Sequence, residues 1–542
     1  MDISILIRAA LAGAARLVAA VPANAESGRL LASQCAQCHG TNGAGPGFEQ
    51  IAGKDIFNDL IDMKYRPIEG IMDRQARGYT DEQLRLISDY LSTLPGNGDN
   101  YFREEDTMNT LNRRQFLKLA AAISAMAAVP RAVGAATTAP RVVVVGGGFG
   151  GATLAKYVRM WGGNVQVTLV DANPNHVSCI LSNLVVTGAL PMSRITLGFD
   201  SLKANHGVTV MQGRAVAIDA PGNTLTVSTS SGNQVLPYDH LVLSPGIDFM
   251  PVAGSTWNPN LTPHAWQAGS QTTLLKNQLA AMSSYDTFVM TVPKAPYRCP
   301  PGPYERACVV ADYLKRKGRT GAKVIVLDAN AGITAEPEAF GHAFNVTHAG
   351  TIEYYPNATV QSVDASTRSI VTTAKTVNKA KVLNYIPNQR AGAITNGLPL
   401  DSAGFVPVNP LTYGIASYPN IHVIGDSCAV PSSDKKPVPK SGHMANSEAK
   451  ICADAIIRSF NGEAPDADIA TSSACFSPIT NQTSSWLSTN FIYGDIFDAS
   501  GNVKGKGMHR VDIGEAAFDM VDGDSYQDMF IWADSMFADS YI

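Results

Sequence analysis

The chain has 542 residues, of which 45% are hydrophobic and 16% are charged, and its formal net charge is −4. Because a chain of this length exceeds what one hydrophobic core usually supports, the sequence predicts several domains. The nearly neutral charge, without basic stretches interleaved with aromatic residues, argues against nucleic acid as a partner. The eight cysteines are too few for a disulfide scaffold, so each needs its own interpretation.

Two segments have the composition of export signals. Residues 1–25, "MDISILIRAALAGAARLVAAVPANA", combine a basic start, an apolar run and a small-x-small end. They predict a signal peptide and a mature chain starting near Glu26, with a short amphipathic helix as the alternative. Residues 99–139 form a predicted linker in which Arg113 and Arg114 precede a second apolar run. This linker resembles a twin-arginine export signal.

These segments predict a periplasmic protein. The second apolar run is shorter than the roughly 20 residues that span a bilayer, so no transmembrane anchor is expected. An internal signal indicates either two exported subunits fused in one chain or two reading frames written as one. The sequence leaves both open, together with the cleavage of the internal signal.

The region 26–98 contains a haem-attachment pattern. Cys35 and Cys38 can add to the two vinyl groups of a haem, and His39 then lies beside the iron as the proximal ligand. A thioredoxin-like C-x-x-C is the alternative, but it requires a preceding strand and does not require the histidine. The pattern therefore predicts one c-type haem.

The sixth iron ligand is predicted from the following residues. Met72 and Met63 are the candidates, and the segment around Met72 resembles the axial-methionine segment of small class I c-type cytochromes. A last helix is predicted from a capping box at Thr80 and Gln83 and from helical spacing of Leu84, Ile87, Leu91 and Leu94. We therefore expect a small all-α cytochrome domain with His39 and Met72 as axial ligands.

A dinucleotide-binding turn follows the linker. "RVVVVGGGFGG" places Gly146, Gly148 and Gly151 between a predicted strand and a predicted helix, and a second strand ends at Asp171. Glycines at this spacing allow backbone N–H groups to approach a pyrophosphate, and the acid can bind a ribose hydroxyl. The complete strand–helix–strand–acid pattern predicts a Rossmann unit.

Two later segments favour FAD over NAD. "YDHLVLSPG" and "NIHVIGDS" resemble elements of flavoproteins with two dinucleotide-binding units, in which Gly425 and Asp426 would lie at the ribityl-phosphate region of the flavin. The predicted FAD-binding domain therefore consists of residues 140–252 and 395–462. Residues 253–394 hold a second Rossmann-like unit, but the loop "PKAPYRCPPGPYERAC" has prolines where a nicotinamide cofactor needs a glycine turn.

The whole set of motifs resembles the flavocytochrome c sulfide dehydrogenase family. Residues 26–98 resemble its cytochrome subunit and residues 140–542 its flavoprotein, most specifically in "VSCILSN", "PKAPYRCPPGPYERA", "YIPNQRAG" and "SSACFSPI". Two departures are that the subunits are joined and that only one C-x-x-C-H is present. The resemblance implies an α/β flavoprotein with a carboxyl-terminal α+β interface domain at 463–542, docked on the cytochrome part.

The resemblance also implies the site residues. FAD would be held covalently through Cys179, and a redox-active disulfide between Cys299 and Cys475 would lie over the flavin, with Glu305 as a nearby acid. From the residues alone, Cys428 also competes for pairing with Cys299. Cys452 and Cys308 are expected to be core residues.

The implied activity is oxidation of sulfide to sulfur or polysulfide. Electrons would pass from the disulfide to FAD, to the haem and on to an external soluble cytochrome c. The alternatives are a sulfide:quinone oxidoreductase-like enzyme and a non-catalytic flavin and haem electron carrier. The acid-rich carboxyl end, without a basic face, disfavours a membrane quinone as acceptor. The product length, the physiological acceptor and the oligomeric state are left open.

Overall fold

The computed structural model describes residues 23–96 and 139–542. Positions 1–22 of the predicted signal peptide lie outside the described residues. The twin-arginine segment also lies outside them. Among the described helices, none is long and apolar enough to cross a membrane.

Residues 23–96 are helical, without a strand in this described range. The helices are α1 (Ala23–Ser33), α2 (Ala36–His39), α3 (Phe57–Tyr65), α4 (Ile71–Ala76) and α5 (Asp81–Ser92). The predicted cap of α5 is confirmed, because the Thr80 hydroxyl accepts from the Gln83 amide at 3.1 Å and the Gln83 side chain accepts from the Thr80 amide at 2.9 Å. The apolar face of α5 is buried at Leu84, Ile87 and Leu91.

The segment 140–252 begins with the predicted strand, turn and helix. Its strands are β1 (Arg141–Val145), β2 (Gln166–Asp171), β3 (Asn175–Val177), β4 (Thr196–Gly198), β5 (Thr209–Gln212), β6 (Arg214–Asp219), β7 (Thr224–Thr229), β8 (Gly232–Pro237), β9 (His240–Leu243) and β10 (Ile247–Met250). Its helices are α6 (Phe149–Trp161), α7 (Ser182–Val186) and α8 (Asp200–His206).

The segment 253–394 contains the predicted second strand–helix–strand. Its strands are β11 (Thr287–Val292), β12 (Lys323–Asp328), β13 (Ile352–Tyr355), β14 (Val360–Asp364), β15 (Ser369–Thr372), β16 (Thr376–Val377), β17 (Val382–Asn384) and β18 (Asn388–Ala391). Its helices are α9 (Ser270–Ala280), α10 (Gly302–Arg316) and α11 (Pro337–His342).

The segment 395–542 completes the first unit and adds a further sheet. Its strands are β19 (Val406–Pro407), β20 (Gly414–Ile415), β21 (Tyr418–Val423), β22 (Cys428–Ala429), β23 (Ala470–Pro478), β24 (Ser484–Phe497) and β25 (Val503–Glu515). Its helices are α12 (Gly442–Asn461) and α13 (Gly523–Tyr541).

Two parallel sheets organise the α/β part. The first has the strand order β20-β21-β9-β1-β2-β5, parallel except for β20, so β21 from the second predicted FAD-binding segment pairs with β9 from the first. The valines of β1 are buried, as expected for a strand covered on both faces. The second sheet has the order β13-β12-β11-β17 and is parallel throughout.

The antiparallel sheet β23-β24-β25 and helix α13 lie beside the helices of residues 23–96. Hydrogen bonds join the two parts: Gln37 donates to the His443 carbonyl at 3.1 Å, and Gln83 donates to Asp468 at 2.6 Å. Arg74 forms a half-buried ion pair with Asp512. The helical part is therefore packed on the α/β part through specific polar contacts.

Candidate active site and cofactor sites

The predicted haem residues line one apolar cavity. Cys35, Cys38, His39 and Met72 all border it, whereas Met63, on α3, is not among the lining residues. The ring of His39 is held through Nδ1, which lies 2.6 Å from the carbonyl oxygen of Glu49. Since a carbonyl oxygen can only accept, Nδ1 carries the proton and Nε2 is left as a metal ligand. Burial lowers the pKa of His39, which favours this neutral form.

The side chains of Cys35, Cys38, His39 and Met72 therefore fit a c-type haem. Burial raises the pKa of Cys35 to about 11 and the pKa of Cys38 to about 12, so both sulfurs are thiols in this apolar setting. Two thiols, an imidazole and a thioether around one cavity are the groups that attach such a haem and ligate its iron.

His443, which the sequence reasoning missed, also lines this cavity from the α/β part. It lies in the first turn of α12, behind the cap in which Ser441 accepts from the Met444 amide. Its Nδ1 accepts from Trp532 Nε1 at 3.2 Å, and the ring also interacts with the Ala474 backbone. Burial lowers the pKa of His443 to about 3, against the smaller raising effect of Ala474, so the ring is neutral and Nε2 carries the proton. No local sequence signal distinguishes this histidine from a core residue.

The predicted glycine turn has the shape of a phosphate cradle. A Cβ on Gly146, whose φ is 98°, would lie 2.2 Å from the Ser244 carbonyl oxygen, and one on Gly151 would lie 1.9 Å from the Gly146 carbonyl oxygen. Both positions therefore exclude any other residue. A Cβ on Gly148 meets only His176, at 3.7 Å, so space remains in front of the amino terminus of α6. This arrangement fits a pyrophosphate.

Asp171 supports this turn directly. One carboxylate oxygen accepts from the Gly147 amide at 2.6 Å, and the other accepts from the Asn173 amide at 2.7 Å. The Tyr541 hydroxyl donates to the Gly147 carbonyl at 3.0 Å, and the Tyr541 ring stacks on His176 with 5.8 Å between centroids. The last turn of α13 thus packs onto the predicted dinucleotide site.

Arg298 connects three of the predicted site residues. Its guanidinium forms a hydrogen bond with Cys179 and also faces Asp426 and Cys299. Burial opposes the charge of this group, but these three neighbours together raise the pKa of Arg298. Arg298 precedes Cys299 in "YRCPPG", and this adjacency is the only signal that could have identified it.

Gly425 and Asp426 lie directly after β21. The Gly425 amide donates to Glu448 Oε2 at 2.6 Å, and its φ is 70°, a conformation that favours glycine. Asp426 is half-buried, and burial raises its pKa against the opposing charges of Arg298 and Lys440. Asp426 is therefore a polar group that shares the neighbour Arg298 with Cys179, where the flavin is predicted to bind.

Cys299 and Cys475 are electrostatic neighbours and are present as half-buried thiols. Burial, and then the neighbouring Cys475, raise the pKa of Cys299. Cys299 has a φ of 57°, and its amide donates to the Lys440 carbonyl at 2.7 Å. A Cβ on Gly302 would lie 2.8 Å from the Cys299 sulfur. The loop thus holds this sulfur in a strained position, of the kind that clusters at functional sites.

Glu305 lies in the first turn of α10 and faces Cys299. Asn183 Nδ2 donates to its Oε1 at 2.9 Å. Burial raises the pKa of Glu305 to about 7, against the smaller lowering effects of Asn183 and Arg306. The carboxyl group is therefore packed beside the cysteine pair and can exchange a proton near neutral pH.

The other three cysteines of the α/β part lie in the core. Cys308 and Cys452 are fully buried, as expected. Cys428 donates to the Gly425 carbonyl at 3.2 Å and lies beside Glu448. Cys475 is the charged neighbour with the largest effect on Cys299, which favours it over Cys428, and the pairing of Cys299 with Cys475 stays a prediction.

Comparisons with known proteins match three parts of the chain to family models. The model for the central region of the sulfide dehydrogenase [flavocytochrome c] flavoprotein chain matches residues 272–387. The pyridine nucleotide-disulphide oxidoreductase model matches residues 140–269, and the twin-arginine translocation signal model matches residues 110–130. The chain therefore carries an export signal to the periplasm.

Relatives match the two parts separately. The flavoprotein chain of sulfide dehydrogenase from Chlorobaculum thiosulfatiphilum is 56% identical over 45 residues, which are 8% of this chain and 94% of that protein. The cytochrome subunit of sulfide dehydrogenase from Chlorobaculum tepidum is 37% identical over 90 residues, 16% of this chain and 82% of that subunit. The chain spans only 22% of a type II NADH:quinone oxidoreductase from Mycobacterium tuberculosis and 66% of the mitochondrial sulfide:quinone oxidoreductase of Mus musculus.

The fold of the α/β part also has a known counterpart. The crystal structure of the sulfide:quinone oxidoreductase from Aquifex aeolicus superposes with a TM-score of 0.56 and 18% identity, covering 73% of this chain and 92% of that one. This likeness concerns the fold alone. Matches to both subunits, with the cysteine, glycine and histidine motifs in place, show that the chain belongs to the flavocytochrome c sulfide dehydrogenase family.

Proposed function

We propose that the protein is a periplasmic sulfide dehydrogenase that oxidises sulfide to sulfur or polysulfide. Electrons pass from a Cys299–Cys475 disulfide to FAD, then to one c-type haem and to an external soluble cytochrome c. The observation that carries the proposal is the cluster in which Cys475, Glu305, Arg298 and Cys179 are all electrostatic neighbours of Cys299. One sulfur centre thus lies between a partner thiol, an acid and the predicted flavin site.

The cluster assigns different roles to the two sulfurs. Cys299 neighbours Arg298 and Cys179, so it is the sulfur on the flavin side. Hydrosulfide therefore attacks Cys475. A bond forms between the substrate sulfur and Cys475, the Cys299–Cys475 bond breaks, and Cys299 leaves as a thiolate beside the Arg298 guanidinium. The loop around Cys299 would hold this sulfur in place, as a disulfide open to attack requires.

Glu305 handles protons at the same place. With a pKa raised to about 7, its carboxylate can take a proton from H₂S as the nucleophile forms. The Asn183 amide orients this carboxyl group through its 2.9 Å hydrogen bond.

The chain's own residues fit both cofactors. FAD would be held by the turn of Gly146, Gly148 and Gly151, by Asp171, and by Gly425 and Asp426, with Cys179 as the covalent attachment. It supplies a two-electron acceptor that can release single electrons. The haem would be attached to Cys35 and Cys38 and ligated by His39 and Met72 in a class I cytochrome domain. It supplies a one-electron relay whose potential methionine ligation raises.

Anaerobic visible spectroscopy with added sulfide tests the proposal. Bleaching of a bound flavin should precede the growth of reduced c-haem bands, and added cytochrome c should reoxidise the protein. Turnover with a soluble quinone but not with cytochrome c would favour the quinone-reducing alternative. If sulfide does not reduce the bound flavin, the result would favour the alternative of a non-catalytic electron carrier.

A further inference from the structure

A second buried acid lies beside the cysteine pair, next to Cys475. Glu336 precedes α11, is 1% exposed and has a φ of 51°. Its Oε1 accepts from the Ser477 hydroxyl at 2.7 Å, and the Ser485 hydroxyl is a second neighbour that lowers the pKa of the carboxyl group against the larger effect of burial. A carboxyl group buried in a strained left-handed backbone conformation, with hydroxyl groups as its hydrogen-bond neighbours, is costly and calls for a functional reason.

The strand registers place this acid on the cysteine's side of the sheet. Ser477 follows Cys475 by two residues on β23, so both side chains lie on one face. Cys475 pairs with Leu487 and Leu487 pairs with Glu515, which adds Glu515 to that face. Because Ser477 holds Glu336, the Glu336 carboxyl lies over the same face as Cys475.

The two acids of the cluster serve different sulfurs. Among the charged neighbours of Cys475, Glu336 raises the pKa of this cysteine most, ahead of Glu305. Glu305 is instead the acid that raises the pKa of Cys299. The titratable groups around Glu336 are Cys475 on β23, Glu305 and Cys308 on α10, and Glu515 on β25. No cation is among these neighbours in the described residues, so the site favours a neutral carboxylic acid.

We propose that Glu336 is the proton store for Cys475, giving a proton to this sulfur when it leaves as a thiolate and taking the proton back when the disulfide re-forms. This inference rests on the proposed function. After the first attack, Cys475 carries the substrate sulfur as a persulfide. A second hydrosulfide attacks that outer sulfur, hydrogen disulfide (HSSH) leaves, and the Cys475 thiolate accepts the Glu336 proton.

Closing the disulfide completes the balance. The Cys475 thiol returns its proton to the Glu336 carboxylate, and the two sulfurs form their bond as two electrons leave for the flavin acceptor. Over the cycle, two hydrosulfide ions become one HSSH and two electrons, and Glu336 ends as it began. Burial raises the pKa of Glu336 to about 8, and burial raises the pKa of Cys475 to about 12, so transfer from the acid to the thiolate is downhill.

The test uses the full-chain holoprotein and a monothiol, 2-mercaptoethanol, which like hydrosulfide first attacks Cys475 and leaves a mixed disulfide there. A second equivalent then releases Cys475 as the leaving thiolate, which is the step that Glu336 is proposed to assist. Samples are quenched by alkylation at intervals, peptide masses follow the loss of the mixed disulfide and the gain of the Cys475 thiol, and this rate is divided by the thiolate fraction of 2-mercaptoethanol. In the wild type, the corrected rate should fall as pH rises through about 8, because Glu336 then loses the proton that it donates. In Glu336→Gln, the rate should be lower below pH 8 by about a hundredfold, the lower end of what a positioned acid contributes, and flat across this range.

Two further variants test the assignment even if Glu336→Gln folds poorly. Ser477→Ala removes a hydroxyl that lowers the pKa of Glu336, against the larger effect of burial. The fall in the corrected rate should therefore move to higher pH. Glu515→Gln removes a negative charge that raises the pKa of Glu336, so the fall in the corrected rate should move to lower pH. The exposed Glu338→Gln, two residues along the chain, is the control and should match the wild type.

The results separate this proposal from the proposed function. If Glu336→Gln keeps both the wild-type rate of Cys475 release and the fall of this rate near pH 8, Glu336 has no such role and the proposed function stands. If 2-mercaptoethanol releases no thiol pair at Cys299 and Cys475 in the wild type, the disulfide itself is wrong and both proposals are overturned.

Discussion

Lys450 and Asp539 form a fully buried ion pair, with 2.8 Å between Lys450 Nζ and an Asp539 carboxylate oxygen and no exposure of either side chain. Asp539 also accepts from the Thr41 hydroxyl at 3.0 Å, and Lys450 donates to the Ser33 carbonyl at 2.7 Å. Thr41 and Ser33 belong to the helical part, and the charged pair belongs to α12 and α13. The ion pair therefore connects the two parts of the chain.

Asp539→Asn should destabilise the protein, because it leaves the Lys450 charge buried and unpaired. Removing one partner of such a pair costs about 3–5 kcal/mol. Thermal or denaturant unfolding measures the loss, with Asp200→Asn as the control, since its pair with Lys203 is exposed and such pairs contribute at most about 1 kcal/mol. An equal effect of both variants would contradict the role of the buried pair.

The same pair predicts a pH dependence. Burial opposes ionisation, but Lys450 and Lys156 lower the pKa of Asp539 to about 2, below its ordinary 3.8. A lowered folded-state pKa contributes stability above the unfolded value, and that contribution is lost as the pH falls towards 2. The stability difference between wild type and Asp539→Asn should therefore be constant near neutral pH and shrink below about pH 4.

Replacement of either active-site cysteine should abolish reduction of the flavin by sulfide. Cys299→Ser and Cys475→Ser remove the disulfide but leave the glycine turn and the haem cavity intact, so FAD and haem contents should not change. Stopped-flow spectroscopy measures the flavin bleaching. Cys452→Ala, in the core of α12, is the control and should retain reduction. Full turnover by Cys475→Ser would show that the proposed pair is wrong.

Met72→Ala should change the haem spectrum, because Met72 lines the haem cavity. Loss of the sixth ligand should convert a low-spin spectrum into one with an open or substituted site and should lower the midpoint potential. Optical and electrochemical titration measure both changes. Met63→Ala should leave them unchanged, and the reverse result would make Met63 the ligand.

Glu305→Gln should remove a pH-dependent component of sulfide oxidation. Burial raises the pKa of Glu305 to about 7, so the carboxylate that acts as base forms as the pH rises through this value. The variant should lose activity most near pH 7, where the carboxylate and undissociated H₂S coexist, by up to about a hundredfold in kcat/KM for an acid–base residue. Steady-state kinetics from pH 5.5 to about 8.5 measure the profile. An equal loss at every pH would indicate a structural role instead.

Cys179→Ser should release the flavin from covalent attachment without abolishing its binding. The glycine turn and Asp426 remain, so the native variant should still contain FAD. Fluorescence of the protein band on a denaturing gel distinguishes the two forms, because only covalently bound flavin migrates with the chain. Retention of flavin fluorescence in the Cys179→Ser band would place the attachment elsewhere.

Local patterns in the sequence predicted much of the fold. The valines of β1, the glycine spacing before α6 and the capping box of α5 depend on neighbouring residues, and the structure contains all three. The proposed pairing of Cys475 with Cys299 could be inferred only from a family resemblance, since the 175 intervening residues carry no local signal of proximity. Pairings that depend on how sheets pack are not encoded in short stretches.

His443 and Glu336 could not be identified from the sequence for the same reason. His443 looks like any residue in the first turn of a helix, and its role depends on a cavity formed by another part of the chain. Glu336 precedes Pro337 in what resembles an ordinary helix start. The sheet that packs over Glu336 buries its carboxyl group, and no cation is among the charged neighbours named for it in the described part of the chain. The chemistry of both residues is a property of tertiary packing.

Helix α12 begins between the two cofactor sites. Gly442 packs against Phe149 at the start of α6, and the next residue, His443, borders the haem cavity. With FAD and haem bound as proposed, the span between them is fixed within one folded body, so the transfer between them is a unimolecular event whose rate is independent of dilution. Only the transfer of electrons to the external cytochrome c requires a bimolecular encounter. Ionic strength and acceptor concentration should therefore affect the rate of that last step alone.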